Sequence, residues 1–306
     1  MKLTAAALCL SATVLAHGAM LEAQDTTLAA SLRDTIAASG ATVGLYYANL
    51  NRPDSVTLDA DLMFHAASTM KVAVMVQVFR DIDAGRLSLH QRLPVVNSFH
   101  SLVGDSVYQL DPGDDSDSSL YRKVGSTVAV QDLVDLMITR SSNLAANVLI
   151  GQVGADLVQA TLRELGIDSM FVRRGVEDDA AYGAGLNNTT TARALGQLFS
   201  AIANGQAARS ASCGAMLRIL LHQHASDAIP AGLPHDTKVA HKTGSITALL
   251  HDAGVVYVND RPQYVLVVLT RGIQDQARAA RLIANLTRVI HSRLFPPPAP
   301  AQAHFR

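Results

Sequence analysis

Ser68-Thr69-Met70-Lys71 opens an apolar run, Val72-Ala73-Val74-Met75-Val76 and, after Gln77, Val78-Phe79. The reading of this stretch decides the fold. The run predicts a core helix that closes near Ala84-Gly85. Residues i and i+3 of a helix share a face, so Lys71 is expected to aim its amine at the Ser68 hydroxyl. A serine hydroxyl is a weak nucleophile until a neighbouring base takes its proton. A lysine kept neutral by burial and nearby cations can be that base. By itself the S-x-x-K spacing is common by chance, and one turn of an ordinary core helix satisfies it equally well.

Two later triplets change the weight of the first. Ser141-Ser142-Asn143 follows an apolar helical segment at 130–139, and Lys242-Thr243-Gly244 lies in a strand setting. Singly, each has a plain reading: Ser and Asn favour helix boundaries, and Thr-Gly can simply end a strand. Working outward, Leu28, Leu32 and Ile36 recur every four residues before Gly40, which predicts an amphipathic first helix with a glycine stop. Strands are expected at 42–50 and 55–58 around the turn Asn51-Arg52-Pro53-Asp54. Helices follow at 143–150, 155–165, 191–203 and 210–221, then strands at 237–241, 253–258 and 264–270, the last two joined by a hairpin at Asn259-Asp260 with Arg261-Pro262. A long helix over 274–294 ends at Pro296-Pro297-Pro298. Helix, two strands, many helices, three strands, helix: this order predicts an α+β fold. Both ends of the chain build one antiparallel sheet flanked by terminal helices, and the middle, roughly 64–205, forms an all-helical lobe. The polar segment at 95–126, with Asp111-Pro112-Gly113-Asp114-Asp115-Ser116-Asp117, lacks the glutamate of an EF-hand and is expected to be a solvated surface loop.

The 306 residues, 49% of them hydrophobic, suffice for a large core, placed here in one catalytic domain over 24–295. A formal net charge of −1 with no long basic run implies no nucleic-acid partner. Lys2, the apolar or small residues of 3–16, and Gly18, Ala19 and Ala23 predict an export signal over 1–23, cleaved after Ala19 or Ala23. The destination is the periplasm or the exterior. The apolar run is too short to span a bilayer comfortably, so stable membrane insertion is not expected. The mature chain would keep Cys213 alone, with no internal disulfide, and 296–306 is expected to be a disordered tail. His222, His224, His235, His241 and His251 match no zinc spacing, so no metal or other cofactor is predicted.

S-x-x-K, an S-x-N triplet and K-T-G, in that order on one chain, resemble the signature of class A β-lactamases and penicillin-binding proteins. Further stretches are similar to the same family: Ile138-Thr139-Arg140-Ser141-Ser142-Asn143-Leu144-Ala145-Ala146-Asn147 around the second motif, Asn187-Asn188-Thr189-Thr190 at the end of an Ω-loop, and Ile229-Pro230-Ala231-Gly232-Leu233-Pro234 before the third motif. The chain thus looks like a penicillin-recognising serine enzyme of the β-lactamase/transpeptidase fold, and most like a class A β-lactamase. The resemblance implies that Ser68 attacks the lactam or amide carbonyl and is acylated while Lys71 relays its proton. It implies that Ser141, helped by Lys242, protonates the departing nitrogen, and that Asn143 holds the substrate's amide side chain. Lys242 and Thr243, with Gly244 and Ser245 beside them, would bind the substrate, and the backbone N–H groups of Ser68 and Ser245 would form an oxyanion hole. The implied partner is a small β-lactam or peptidoglycan-like molecule, and the implied state a monomer. Within the superfamily a D-alanyl-D-alanine carboxypeptidase is the alternative. A non-catalytic β-lactam sensor is a third reading, disfavoured because a binder has no need of a nucleophile and a proton relay.

The chain departs from the family in three places. Class A enzymes carry an Ω-loop glutamate in an E-x-x-x-N pattern; here Glu177 stands about where it should fall, but the fourth residue on is Ala181. Glu177 is the candidate base for deacylation, with Asp178 and Asp179 next, against the alternative of an acidic cluster neutralising Arg173 and Arg174. Ser142 replaces the aspartate of S-D-N. No arginine follows K-T-G near His251-Asp252-Ala253, so carboxylate recognition is expected to rest on Lys242, Thr243 and His251.

Overall fold

A computed structural model describes residues 27–104 and 106–296; the expected export signal and nearly all of the expected tail lie outside them. Five strands form one sheet: β1 (Thr42–Asn49), β2 (Ser55–Leu58), β3 (Val239–Ile246), β4 (Leu249–Val258) and β5 (Arg261–Arg271). Their order is β2-β1-β5-β4-β3, with every neighbouring pair antiparallel. β5 is central and buried on both faces from Tyr264 to Thr270, which explains its unbroken apolar run. Its side chains alternate with the pleat: Tyr264, Leu266 and Val268 enter one core, Val265, Val267 and Leu269 the other.

Helix α1 (27–39) and helix α9 (Gln276–Leu294) cover the first face. Leu28 and Leu32 of α1 and Leu282, Ile283, Leu286 and Ile290 of α9 pack there. The second face joins the helical lobe, whose axis is α2 (Lys71–Asp83). Ten of its thirteen residues are buried, so α2 is surrounded on all sides. Around it stand α3 (Val130–Thr139), α4 (Asn143–Val153), α5 (Ala155–Glu164) and α8 (Ser210–Leu220), while α7 (Ala192–Ala203) packs on β1, β4, β5 and α8, with the one-turn α6 (Asp179–Gly183) in the loop between α5 and α7. The expected α+β arrangement is present, its sheet built from both ends of the chain.

Asn259 and Asp260, at φ 52° and 59°, make the two-residue β4–β5 turn, as the mirror-image hairpin turn requires. β3 and β4 extend further toward each other than the apolar pattern suggests. Lys242, Thr243 and Gly244 pair with Ala253, Asp252 and His251, so backbone pairing carries polar residues that hydrophobic alternation would exclude. The segment 95–126 corrects the expectation of a solvated loop. Much of it is exposed, but Asp115 turns inward and binds the start of α4.

Leu286 is fully buried in the core on the far face of the sheet from the helical lobe. Leu286→Ala should lower unfolding free energy by about 2–5 kcal/mol while leaving turnover per folded molecule unchanged. Denaturant titration beside active-site titration checks this; a matching loss of specific activity would show that the two faces are not independent.

Candidate active site

Ser68 sits in a 3₁₀ turn, Ala67–Met70, that runs into α2 at Lys71. Side chains at i and i+3 eclipse in such a turn, which brings Ser68 and Lys71 to one side. Strand β3 lies against the same turn. A Cβ at Gly244 would come to 3.0 Å from the backbone nitrogens of Ser68 and Thr69, so the glycine of K-T-G permits the sheet edge to approach the Ser68 backbone. Ser68 lines a cleft of about 410 Å³ with Asn143, Arg174, Glu177, Tyr182 and Ser245.

Lys71 is fully buried, and its amine does not reach the Ser68 hydroxyl as the helical spacing suggests. Nζ donates to the Ser141 carbonyl at 2.5 Å, to Ser141 Oγ at 3.3 Å and to Asn143 Oδ1 at 2.7 Å. A desolvated amine is drawn to acceptors, and these three lie at the α3–α4 junction. Ser141 holds φ 62° there, a left-handed conformation that is strained for a non-glycine residue and that turns both its carbonyl and its hydroxyl toward the lysines. Lys242, equally buried, donates to Ser141 Oγ at 3.0 Å and to the Thr243 carbonyl at 2.8 Å. Ser141 Oγ thus accepts from two amines. A hydroxyl has two lone pairs and one hydrogen, so the O–H of Ser141 is left free to donate.

Burial lowers the pKa of Lys71 to about 7, against the opposing pull of Asp115 and Glu177. Lys242 is pushed well below its ordinary value by burial and then by the charge of Lys71, with Asp252 opposing. Asn143 bridges to the other side of the cleft, where its Nδ2 donates to Glu177 Oε1 at 2.6 Å. Glu177 is half-buried, and burial raises its carboxyl pKa although the Asn143 bond pulls the other way. Lys242, Ser141, Lys71, Asn143 and Glu177 are therefore one hydrogen-bonded chain. It joins the S-N triplet, both lysines and the Ω-loop glutamate.

The loop that presents Glu177 is clamped by two asparagines. Asn147 of α4 accepts from Val176 N at 2.6 Å and donates to the Val176 carbonyl at 3.0 Å. A Cβ at Gly175 would meet Asn147 Oδ1 at 2.8 Å, so that close approach requires glycine. Asn188 accepts from the N–H groups of Arg173 and Arg174 and donates to the Arg174 carbonyl. Glu177 itself has φ 60°. Asp178 is turned away and accepts from Ser101 Oγ, Leu102 N and Ala181 N. Burial would raise its pKa, but these bonds and Arg174 outweigh it and hold the carboxyl low. Asp179 is exposed at the cleft margin. Of the three acidic residues, Glu177 is the one bonded into the chain.

Asp115, Asn147 and Asn188 were not marked as site residues by the sequence. Asp115 accepts from Asn143 N, Leu144 N and Tyr121 OH, which satisfies the free N–H groups at the start of α4. Ser142 caps the same helix through Ala145 N. Serine is a good N-cap, which accounts for its presence where the family motif has aspartate. No local pattern distinguishes Asp115 from Asp111, Asp114 or Asp117; Asn147 stood in the family-like helix junction. His251 corrects another expectation. It is fully buried, with Nε2 donating to the His65 carbonyl and Nδ1 accepting from Thr270 N. Burial lowers its pKa to about 4. It is a neutral strut and does not read a carboxylate.

Residues 27–294 match the model of the β-lactamase enzyme family. The chain belongs to that family. It is 29% identical to a β-lactamase of Streptomyces albus G over 262 residues, 84% of this chain and 81% of that enzyme. Its fold superimposes on PBP-A, solved as a mutant in an acyl-enzyme complex with penicillin G, with TM-score 0.75 and 27% identity, covering 88% of this chain and 96% of that one. A β-lactamase from Sphaerobacter thermophilus gives TM-score 0.71 at 26% identity, covering 90% and 99%. Hydrolysis of β-lactams is thereby assigned at the level of the family.

Asp115→Asn keeps the size of the side chain and removes a charge that raises the Lys71 pKa. The pH midpoint of Ser68 acylation, expected near 7 in the parent, should move lower in the variant. Stopped-flow acylation measured from pH 5 to 9 checks this; an unmoved midpoint would show that Asp115 only caps α4.

Proposed function

We propose that the protein is an exported serine β-lactamase that opens the lactam ring through an acyl-enzyme on Ser68 and confers β-lactam resistance. The observation that carries this reading is the unbroken hydrogen-bonded chain from Lys242 to Glu177 along the cleft that Ser68 lines. In the proposed acylation, Ser68 Oγ attacks the lactam carbonyl carbon and its proton passes to the Lys71 amine, which must first lose its own proton and exchange one of its contacts at Ser141 for the Ser68 hydroxyl. The N–H groups of Ser68 and Ser245 hold the developing oxyanion. The carbon–nitrogen bond breaks as Ser141 gives its free proton to the ring nitrogen, and Lys71 or Lys242 restores it. In the proposed deacylation, Glu177 takes a proton from water, the hydroxide attacks the ester, and Ser68 leaves with its proton returned. A base is best matched when its pKa lies near the working pH, and burial moves Lys71 down and Glu177 up toward that range.

A D-alanyl-D-alanine carboxypeptidase would share the first step, and the likeness to PBP-A favours it as the second reading. Glu177 favours the first, because rapid hydrolysis of the β-lactam acyl-enzyme needs a base beside it. The apolar segment after Lys2 supports export to the periplasm or exterior. The substrate proposed is a small β-lactam or peptidoglycan-like molecule, handled by a monomer without stable membrane insertion.

The test is a chromogenic cephalosporin assay beside intact-protein mass spectrometry. Rapid turnover without a lasting adduct supports the hydrolase; a persistent adduct points to the peptidase or the sensor. Ser68→Ala should abolish both turnover and labelling, and a penicilloyl adduct on that variant would overturn the assignment of the nucleophile. Glu177→Gln should still acylate but deacylate about a hundredfold to ten-thousandfold more slowly, so that the acyl-enzyme accumulates. Parent-like turnover by Glu177→Gln would move the base elsewhere.

A further inference from the structure

Glu177 is held at φ 60°, a left-handed conformation that a non-glycine residue keeps only where its surroundings enforce it. Among the described residues its carboxylate makes one hydrogen bond, from Asn143 Nδ2, which places the tip of the side chain and leaves the backbone free. The two neighbours in the chain hold the backbone instead. Val176 is bonded through both its N–H and its carbonyl to Asn147. Asp178 is buried and accepts from Ser101 Oγ at 2.7 Å, from Leu102 N at 3.0 Å and from Ala181 N at 3.0 Å. The last of these bonds stays within the loop and caps α6. The first two leave the loop.

Both of those donors belong to a short antiparallel hairpin, in which Phe99–His100 pairs with Val107–Tyr108. Ser101 follows the first strand, and its N–H donates to the Ser106 carbonyl at 2.9 Å. Its hydroxyl accepts from Val103 N at 3.1 Å while it donates to Asp178, so the hairpin itself orients the Ser101 O–H. A hydroxyl donating to an ionised carboxylate is among the stronger hydrogen bonds. The same hairpin reaches the other flank of Glu177. Tyr108 OH accepts from Asn147 Nδ2 at 3.4 Å, and a Cβ at Gly175 would meet that hydroxyl at 2.7 Å. The Tyr108 ring packs on Phe99 with centroids 5.8 Å apart. Among the described residues, the hairpin contributes none to the lining of the Ser68 cleft, yet it touches the anchors on both sides of Glu177.

We propose that Ser101 is a positioning residue for deacylation: its bond to Asp178 sets the backbone of Glu177, and with it the place from which the Glu177 carboxylate reaches water at the acyl-enzyme. The inference rests on the reading of Glu177 as the base for that water, and adds to it a residue outside the cleft that acts through it. Acylation runs through Ser68, Lys71 and Ser141. Among the described residues, neither Ser101 nor Asp178 is hydrogen-bonded to any of these three. The two half-reactions therefore respond differently when the bond is removed. A catalytic group displaced by about 1 Å can lose on the order of a hundredfold in rate, and that loss falls on the step that uses Glu177.

The experiment measures acylation and deacylation separately, by stopped flow with a chromogenic cephalosporin and by intact-protein mass spectrometry of the adduct. It uses the parent, Ser101→Ala, Asp178→Asn, Glu177→Gln and the double variant Ser101→Ala/Glu177→Gln, with thermal melts to confirm folding. Ser101→Ala leaves the α6 cap in place. It should slow deacylation about tenfold to a hundredfold with acylation unchanged, so that the adduct accumulates and kcat and KM fall together. Asp178→Asn sets an amide N–H against one of the same donors and should show the same split; it decides the question where Ser101→Ala does not fold. In the double variant the loss of Ser101 should add nothing to the loss of Glu177, because it acts through that residue. Parent-like deacylation in the single variants at Ser101 and Asp178, equal slowing of both half-reactions, or a further loss in the double variant would overturn the inference. Glu177→Gln separates this failure from that of the underlying reading. If it deacylates slowly while the variants at Ser101 and Asp178 match the parent, only the role of Ser101 falls; if it deacylates as the parent does, both fall.

Discussion

Two lysine amines with no access to water converge on one serine hydroxyl, and the rest of the site is arranged around that burden. An isolated ammonium buried in protein is costly enough that the group gives up its proton instead. Lys71 and Lys242 also repel each other's charge. The structure accommodates them by surrounding the pair with acceptors: the carbonyl and hydroxyl of Ser141, the amide oxygen of Asn143 and the carbonyl of Thr243. The left-handed backbone at Ser141 makes two of these available at once. Burial lowers the pKa of both amines, and the acceptors hold them in fixed positions.

The electrostatics of the site follow from what each face contributes. Asp115 and Glu177 favour the charged form of Lys71, and burial opposes them with the larger effect. Glu177 is shifted the opposite way by its own burial. An amine lowered and a carboxyl raised approach each other in proton affinity, as in sites that assign acid and base roles by environment. Asn143 fixes the distance between the two groups. It accepts from one and donates to the other, which also determines which way its amide is turned.

The departures from the family pattern are accommodated locally. Ala181 stands where the Ω-loop pattern has asparagine, yet the loop is held from α4 by Asn147 on the backbone of Val176 and closed at its neck by Asn188. Asp178 ties the same loop to the segment at 101–102. Ser142 does the capping work of the absent aspartate, and Asp115 brings a carboxylate to the same helix terminus from a different part of the chain. Glu177 therefore reaches the relay without the motif that usually announces it.

Ser68, Lys71, Ser141, Asn143, Lys242 and Gly244 were legible because short spacings and their order along the chain mark them. The apolar run of α2 and the alternation in β5 were legible because burial leaves a periodic trace. Those local patterns determined the α+β class and the two-ended sheet. They did not determine where the Lys71 amine points, because helix geometry puts residues on one face but acceptors elsewhere in the fold decide which partner a buried amine takes. Asp115 read as one more solvated carboxylate, and His251 as a reader of the substrate carboxylate, because exposure is not a property of a residue type or its neighbours in sequence. Only the packing of α4 against the segment at 95–126, and of β4 against β5, set which of these polar groups meet water and which must find their partners inside.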